Sequence, residues 1–159
     1  MQKLAILGGA IMAVGVSTAS GAQQPAVWQG DLFVTTVTSV CTSKDVTSVG
    51  DFYRSVYRPN IAPPPDSQAD EALSLIGSRN AVILEATGKT LRGKATANTL
   101  AIFSHAEVTS STTTVDLTIT PTKITPSTPS VEINGTIKNF YNNTGCNITV
   151  VGALGLRHD

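Results

Sequence analysis

The sequence predicts an all-β domain, a closed antiparallel β-barrel of about eight strands, with a two-sheet β-sandwich as the alternative. Three observations carry this. Apolar and polar residues alternate with period two in several separate stretches between residues 28 and 156. The chain is rich in Thr, Ser, Val and Asn and only 14 % charged, a composition suited to strands with one wet face. Two cysteines, Cys41 and Cys146, stand 105 positions apart, at the end of the first predicted strand and just before the last.

Residues 1–22 read as a secretory signal peptide and are set aside from the fold. Lys3 supplies the positive start, Leu4 to Val16 is uncharged and apolar, and Ser17-Thr18-Ala19-Ser20-Gly21-Ala22 offers the small residues of a cleavage site after Ala22. The apolar run is shorter than the roughly 20 residues a spanning helix needs. There is no cysteine at the cleavage point and no twin arginine, which predicts a protein exported unfolded, without a lipid anchor or a cofactor. The remaining Gln23 to Asp159 form one domain and carry ten Lys or Arg against eleven Asp or Glu. That balance gives no electrostatic footprint for nucleic acid or anionic membrane. No later segment reads as transmembrane. In an oxidising compartment the two cysteines are expected to pair.

The first strands are placed at 28–41 and 50–58. After Pro59 and Pro63-Pro64-Pro65, which force an extended chain, residues 66–77 predict a short helix. Asp66 or Ser67 can cap it, Asp70 and Glu71 suit its first turns, Ala69, Ala72, Leu73 and Ile76 make one stripe, and Gly77 can end it. Further strands are placed at 80–87 and 99–108, with a short one at 90–96. Val115, Leu117 and Ile119 then alternate with Asp116, Thr118 and Thr120. Pro121, Pro126 and Pro129 mark residues 121–129 as a connection, because proline cannot donate to a ladder. Val131, Ile133 and Ile137 set the face of the next strand. The turn-forming Asn142-Asn143-Thr144-Gly145 leads into a closing strand at 147–156 with Ile148, Val150, Leu154 and Leu156 on one side.

A bridge between Cys41 and Cys146 makes the first and last strands antiparallel neighbours. If the two cysteines face each other, paired positions sum to 187, and Trp28 lies opposite Asp159. Terminal strands that pair are the mark of a sheet closed on itself, and antiparallel closure of a meander requires an even strand count, eight rather than seven. The resulting architecture resembles lipocalin- and avidin-like barrels. Trp28-Gln29-Gly30 reverses the glycine-before-tryptophan order of the lipocalin opening, so no binding residue carries over from that resemblance.

Catalytic chemistry is thin. His105 shares a predicted strand face with Phe103 and Glu107, and His158 stands beside the C-terminus. No G-x-S-x-G, H-E-x-x-H, P-loop or C-x-x-C motif occurs, and no local spacing builds a metal site. Glu85, Glu107 and Asp116 offer only the scattered carboxylates of any β-protein. No catalytic residue, metal or cofactor is assigned. The one dense polar-aromatic cluster runs from Asp51 to Arg58. On a strand it sets Phe52, Arg54, Val56 and Arg58 on one face and Tyr53, Ser55 and Tyr57 on the other. The arginines could grip a carboxylate or phosphate, and the tyrosines could stack a planar ligand. The plainer expectation is a sheet exterior with arginine salt bridges to Asp51 or Glu85. Trp28, the sole tryptophan, would plug or line one barrel end. Trp28, Tyr53, Arg54, Tyr57 and Arg58 are thus the candidate ligand-binding residues. Three N-x-S/T sequons, at Asn134, Asn142 and Asn147, are accounted for by turn and strand chemistry.

The function expected is that of an exported, non-enzymatic module that binds a small apolar or planar ligand or serves as a periplasmic accessory. The alternative is a structural or assembly subunit of the cell envelope, pilin-like in build. An outer-membrane barrel is disfavoured, since 5 % aromatics cannot form two girdles and the chain ends Arg157-His158-Asp159.

Overall fold

A computed structural model describes residues 26–59, 71–86, 90–101 and 112–157. The leader-like segment, Pro63 to Pro65, residues 66–70, His105, Glu107 and His158 lie outside the described residues. Eight antiparallel strands follow one another around a closed barrel. They are β1 (Val27–Val37), β2 (Phe52–Arg58), β3 (Glu71–Ile76), β4 (Ala81–Ala86), β5 (Gly93–Ala101), β6 (Thr112–Thr120), β7 (Ser130–Lys138) and β8 (Ile148–Arg157). One short helix, α1 (Ser39–Ser43), follows β1. Closure by β1 on β8 decides for the barrel over the sandwich, and the even count of eight holds.

The count is reached by a different division of the chain. Residues 71–76, expected in a helix, are strand β3, hydrogen-bonded to both β2 and β4. The segment Glu-Ala-Leu-Ser-Leu-Ile also carries a period-two pattern: Glu71, Leu73 and Leu75 point inward, whereas Ser74 and Ile76 reach solvent. A helical stripe and a strand alternation coexist in so short a run, and the two neighbouring ladders decide between them. Where separate strands are expected at 90–96 and 99–108, residues 93–101 form the one strand β5, and residues 102–108 lie outside the described residues.

The first strand is also shorter than expected. It ends at Val37, and Cys41 belongs to α1. The disulfide therefore joins α1 to the coil before β8, with the two Cα atoms 4.7 Å apart, and does not join the two strands themselves. A helical residue advances about 1.5 Å where a strand residue advances about 3.3 Å, so the ladder cannot be extrapolated from the cysteines. Trp28 pairs with Leu156 rather than Asp159, and paired positions sum to 184. A bulge between Val34 and Thr36 moves that sum to 185 for Val37 and Ile148.

Alternation sorts the side chains cleanly. Trp28, Leu32, Tyr57, Leu73, Leu84, Leu117, Ile133 and Leu154 fill the interior, each at 1 % exposure or less. Asp31, Arg54, Asp116, Glu132 and Lys138 stand outside on the strands. Charge outside and hydrocarbon inside reverse the pattern of a membrane-embedded barrel. Close inter-strand approach requires glycine where β8 crosses β1. A Cβ on Gly152 would sit 2.2 Å from the Asp31 carbonyl oxygen.

Among the described residues, different groups pack at the two ends of the barrel. At the first, the Trp28 indole N–H donates to the Thr128 carbonyl at 2.9 Å, holding the 121–129 connection over the ring. Trp28 is thus the plug its position suggested. At the second, the disulfide joins α1 to the β8 entry, and Phe140, whose N–H donates to the Cys146 carbonyl at 2.8 Å, packs its ring edge-on to Tyr53 with centroids 5.6 Å apart. The turn before β8 uses left-handed backbone at Asn142 and Gly145, as its composition implied. Thr38 ties this end together by donating its hydroxyl to the Gly145 carbonyl at 2.6 Å while accepting the Asn147 N–H at 3.0 Å.

Candidate functional site

The Asp51–Arg58 cluster is split by the strand that carries it. Period-two geometry turns Tyr53 and Tyr57 into the core and Arg54 outward, with Arg58 half-buried. Trp28 and Tyr57 are register partners at one barrel end, while Tyr53 lies near the other. The five candidate residues therefore form no single site. The aromatic candidates are packed at 2 % exposure or less.

Arg54 pairs with Asp31 at 3.6 Å, not with Asp51 or Glu85. Asp51 is engaged locally, where its Oδ2 accepts from the Thr47 hydroxyl at 3.0 Å and the Ser48 N–H at 2.8 Å. That turn leaves its carboxylate no need of an arginine.

Tyr57 engages Glu71, which the sequence alone offers only as a helix-favouring carboxylate. Its hydroxyl donates to Oε1 of Glu71, which is fully buried at the start of β3. Glu71 Oε2 accepts the Leu91 N–H at 2.6 Å, and the Arg92 guanidinium stands 3.6 Å from Oε1. The carboxylate is thereby paired and hydrogen-bonded, as a buried charge must be. Burial raises the Tyr57 pKa, and the hydrogen bond to Glu71 and its charge raise it further, while Arg92 opposes them. Tyr57 is therefore a neutral donor clamped to a carboxylate. Such a group braces residues 90–92 against the barrel end and is poorly placed to be a nucleophile. The inward Glu71-Leu73-Leu75 alternation was the signal for it, visible only once a strand was assigned there.

At the opposite end Tyr53 is held in its protonated form as well. Burial raises its pKa most, with Asp51 adding to the effect and Thr47, Asn80 and Arg79 working against it. Beside it lies a recess of about 170 Å³ bordered by Val46, Asp51, Phe52, Ser78 and Arg79. An exposed Arg79–Asp45 ion pair stands at this end.

The outer surface carries a different feature. Phe33 and Phe52 are cross-strand partners, 51 % and 61 % exposed, with ring centroids 6.4 Å apart. Val151 of β8 pairs with Phe33 on the other side and is 40 % exposed. Phe33, Phe52 and Val151 thus stand side by side in water on three adjacent strands, a contiguous apolar grouping of the kind that contact surfaces use. Among the described residues, no three His, Cys, Asp or Glu side chains gather as metal ligands would. No family model, no curated protein and no solved structure matches this chain.

Proposed function

We propose that this chain is an exported, non-catalytic accessory domain that works through the outside of its barrel, as an assembly or docking module of the cell envelope. One observation carries the reading: the described interior is filled by its own side chains, while two phenylalanines are held out in water on adjacent strands. A ligand in the barrel mouth is the other expectation the sequence carries, with Trp28 and the tyrosines as its candidate contacts. They are instead core residues, so the outer face takes precedence over a bound small molecule. The disulfide and the leader-like N-terminus support export, because paired cysteines persist in oxidising compartments.

Fluorescence of the apolar probe 1-anilinonaphthalene-8-sulfonate tests this. The probe should bind the folded protein at the exposed phenylalanines, and its enhanced emission should be largely lost in Phe33→Asp and Phe52→Asp. Probe binding that survives both substitutions would place the apolar site elsewhere and overturn the reading.

A further inference from the structure

We propose that the ridge formed by β1 and β2 is a homodimer contact, in which Phe33 packs on Phe52 of a second copy and Asp31 meets the second copy's Arg54. The inference deepens the outer-face reading above and rests on it. The ladder register places four outward side chains at the corners of a small rectangle: Phe33 beside Phe52, and Asp31 beside Arg54 two residues further along. The aromatic pair is exposed, and the Arg54 and Asp31 side chains are 67 % and 40 % exposed. At 3.6 Å their internal pairing is an ion pair too long for a hydrogen bond, which leaves guanidinium donors of Arg54 for a second acceptor.

Self-complementarity selects the second copy as the occupant. A two-fold contact brings the same patch of both molecules together, so each residue must suit the one it meets. An axis lying in the contact plane, parallel to the strands and midway between β1 and β2, exchanges the two strands. It sets Phe33 over the other copy's Phe52, and Asp31 over the other copy's Arg54, each twice. The result is a cluster of four aromatic rings beside a square of alternating charges. An axis along β1 would instead oppose Asp31 to itself, and an axis across the strands would set phenylalanines on charges. Only the first arrangement satisfies both rows. Barrels are convex, so the contact falls short of the roughly 800 Å² per partner of a standard interface, and a weak, concentration-dependent dimer is expected.

Sedimentation equilibrium of the oxidised protein across a wide concentration range tests this. Dimer formation is expected, with the dissociation constant raised at least about ten-fold by Phe52→Asp and by Phe33→Asp. Arg54→Asp and Asp31→Arg should each weaken association, and the double variant D31R/R54D should restore it to within about three-fold, since the charge square is rebuilt in reverse. Glu132→Arg, on the outer surface of β7, should change nothing. Melting curves establish that each variant is folded, and a variant that is not folded is replaced by Phe52→Ser or Phe33→Ser. A protein that stays monomeric throughout, or a double variant no better than its single parents, overturns the proposed dimer. A monomer whose apolar-probe binding is lost in the Phe33 and Phe52 variants would overturn the dimer alone, whereas probe binding that survives both would overturn the outer-face reading beneath it.

Discussion

Tyr57 and Glu71 are joined by a hydrogen bond inside the barrel, from β2 to β3, where neither side chain reaches solvent. The bond fixes the start of β3, and through Leu91 and Arg92 it fixes the entry to β5. Removing the donor leaves a buried carboxylate short of one partner. Tyr57→Phe should therefore cost about 1.5–3 kcal/mol, the range for hydrogen bonds to charged groups. Urea unfolding at neutral pH measures it, and a midpoint equal to that of the wild type would show the bond to be energetically idle.

The same burial fixes a response to alkali. Tyr53 and Tyr57 both have pKa values raised above the ordinary 10.0 in the folded state. A raised folded pKa contributes stability that is complete below the unfolded value and is lost as pH climbs past it, because the unfolded chain gives up its protons first. Stability should hold up to about pH 10 and fall beyond it. Phenolate absorbance should show two of the three tyrosines ionising only together with unfolding. Their titration in a protein still folded by circular dichroism would contradict the burial.

Reduction should weaken the fold sharply. The disulfide closes a span of 105 residues, worth about 4–5 kcal/mol in the chain-entropy account. The melting temperature is expected to drop by about ten degrees or more in excess reductant, and the double variant C41S/C146S should behave alike. Equal melts with and without reductant would mean that α1 and the β8 entry are held together without the staple.

Two glycines on β8 should answer differently to one added methyl group. On Gly152 it meets the Asp31 carbonyl at 2.2 Å, whereas on Gly155 it meets nothing within 4 Å. Gly152→Ala is expected to destabilise by about 1–3 kcal/mol through overpacking, and Gly155→Ala to stay within about 0.5 kcal/mol. Urea midpoints for the pair decide it, and equal values would contradict the close β1–β8 approach.

Much of this architecture was legible in the chain. Alternation at Val115-Leu117-Ile119 and Val131-Ile133-Ile137 located β6 and β7, prolines bounded the connection between them, and the cysteines implied that β1 and β8 are neighbours. What escaped was set by tertiary contacts. Residues 71–76 satisfy a helical stripe and a strand pattern equally, and only pairing with β2 and β4 chooses. The register slipped by three because a single turn of helix after Thr38 foreshortens the path to Cys41. The candidate site dissolved for a related reason. Period two showed that the tyrosines and arginines of β2 face opposite ways, but it did not show which face was the core. Phe33 and Phe52 carry no signal in isolation, since their exposure follows from where the ladder aligns them.

A barrel that acts from its outside should hold no guest. Native mass spectrometry of the oxidised protein, recovered from its exported fraction, tests it most directly. The account predicts a chain that begins at Gln23, has lost two hydrogens to the disulfide, carries no small-molecule adduct, and shows a minor dimer that grows with concentration. A stoichiometric small-molecule adduct that survives purification would contradict it.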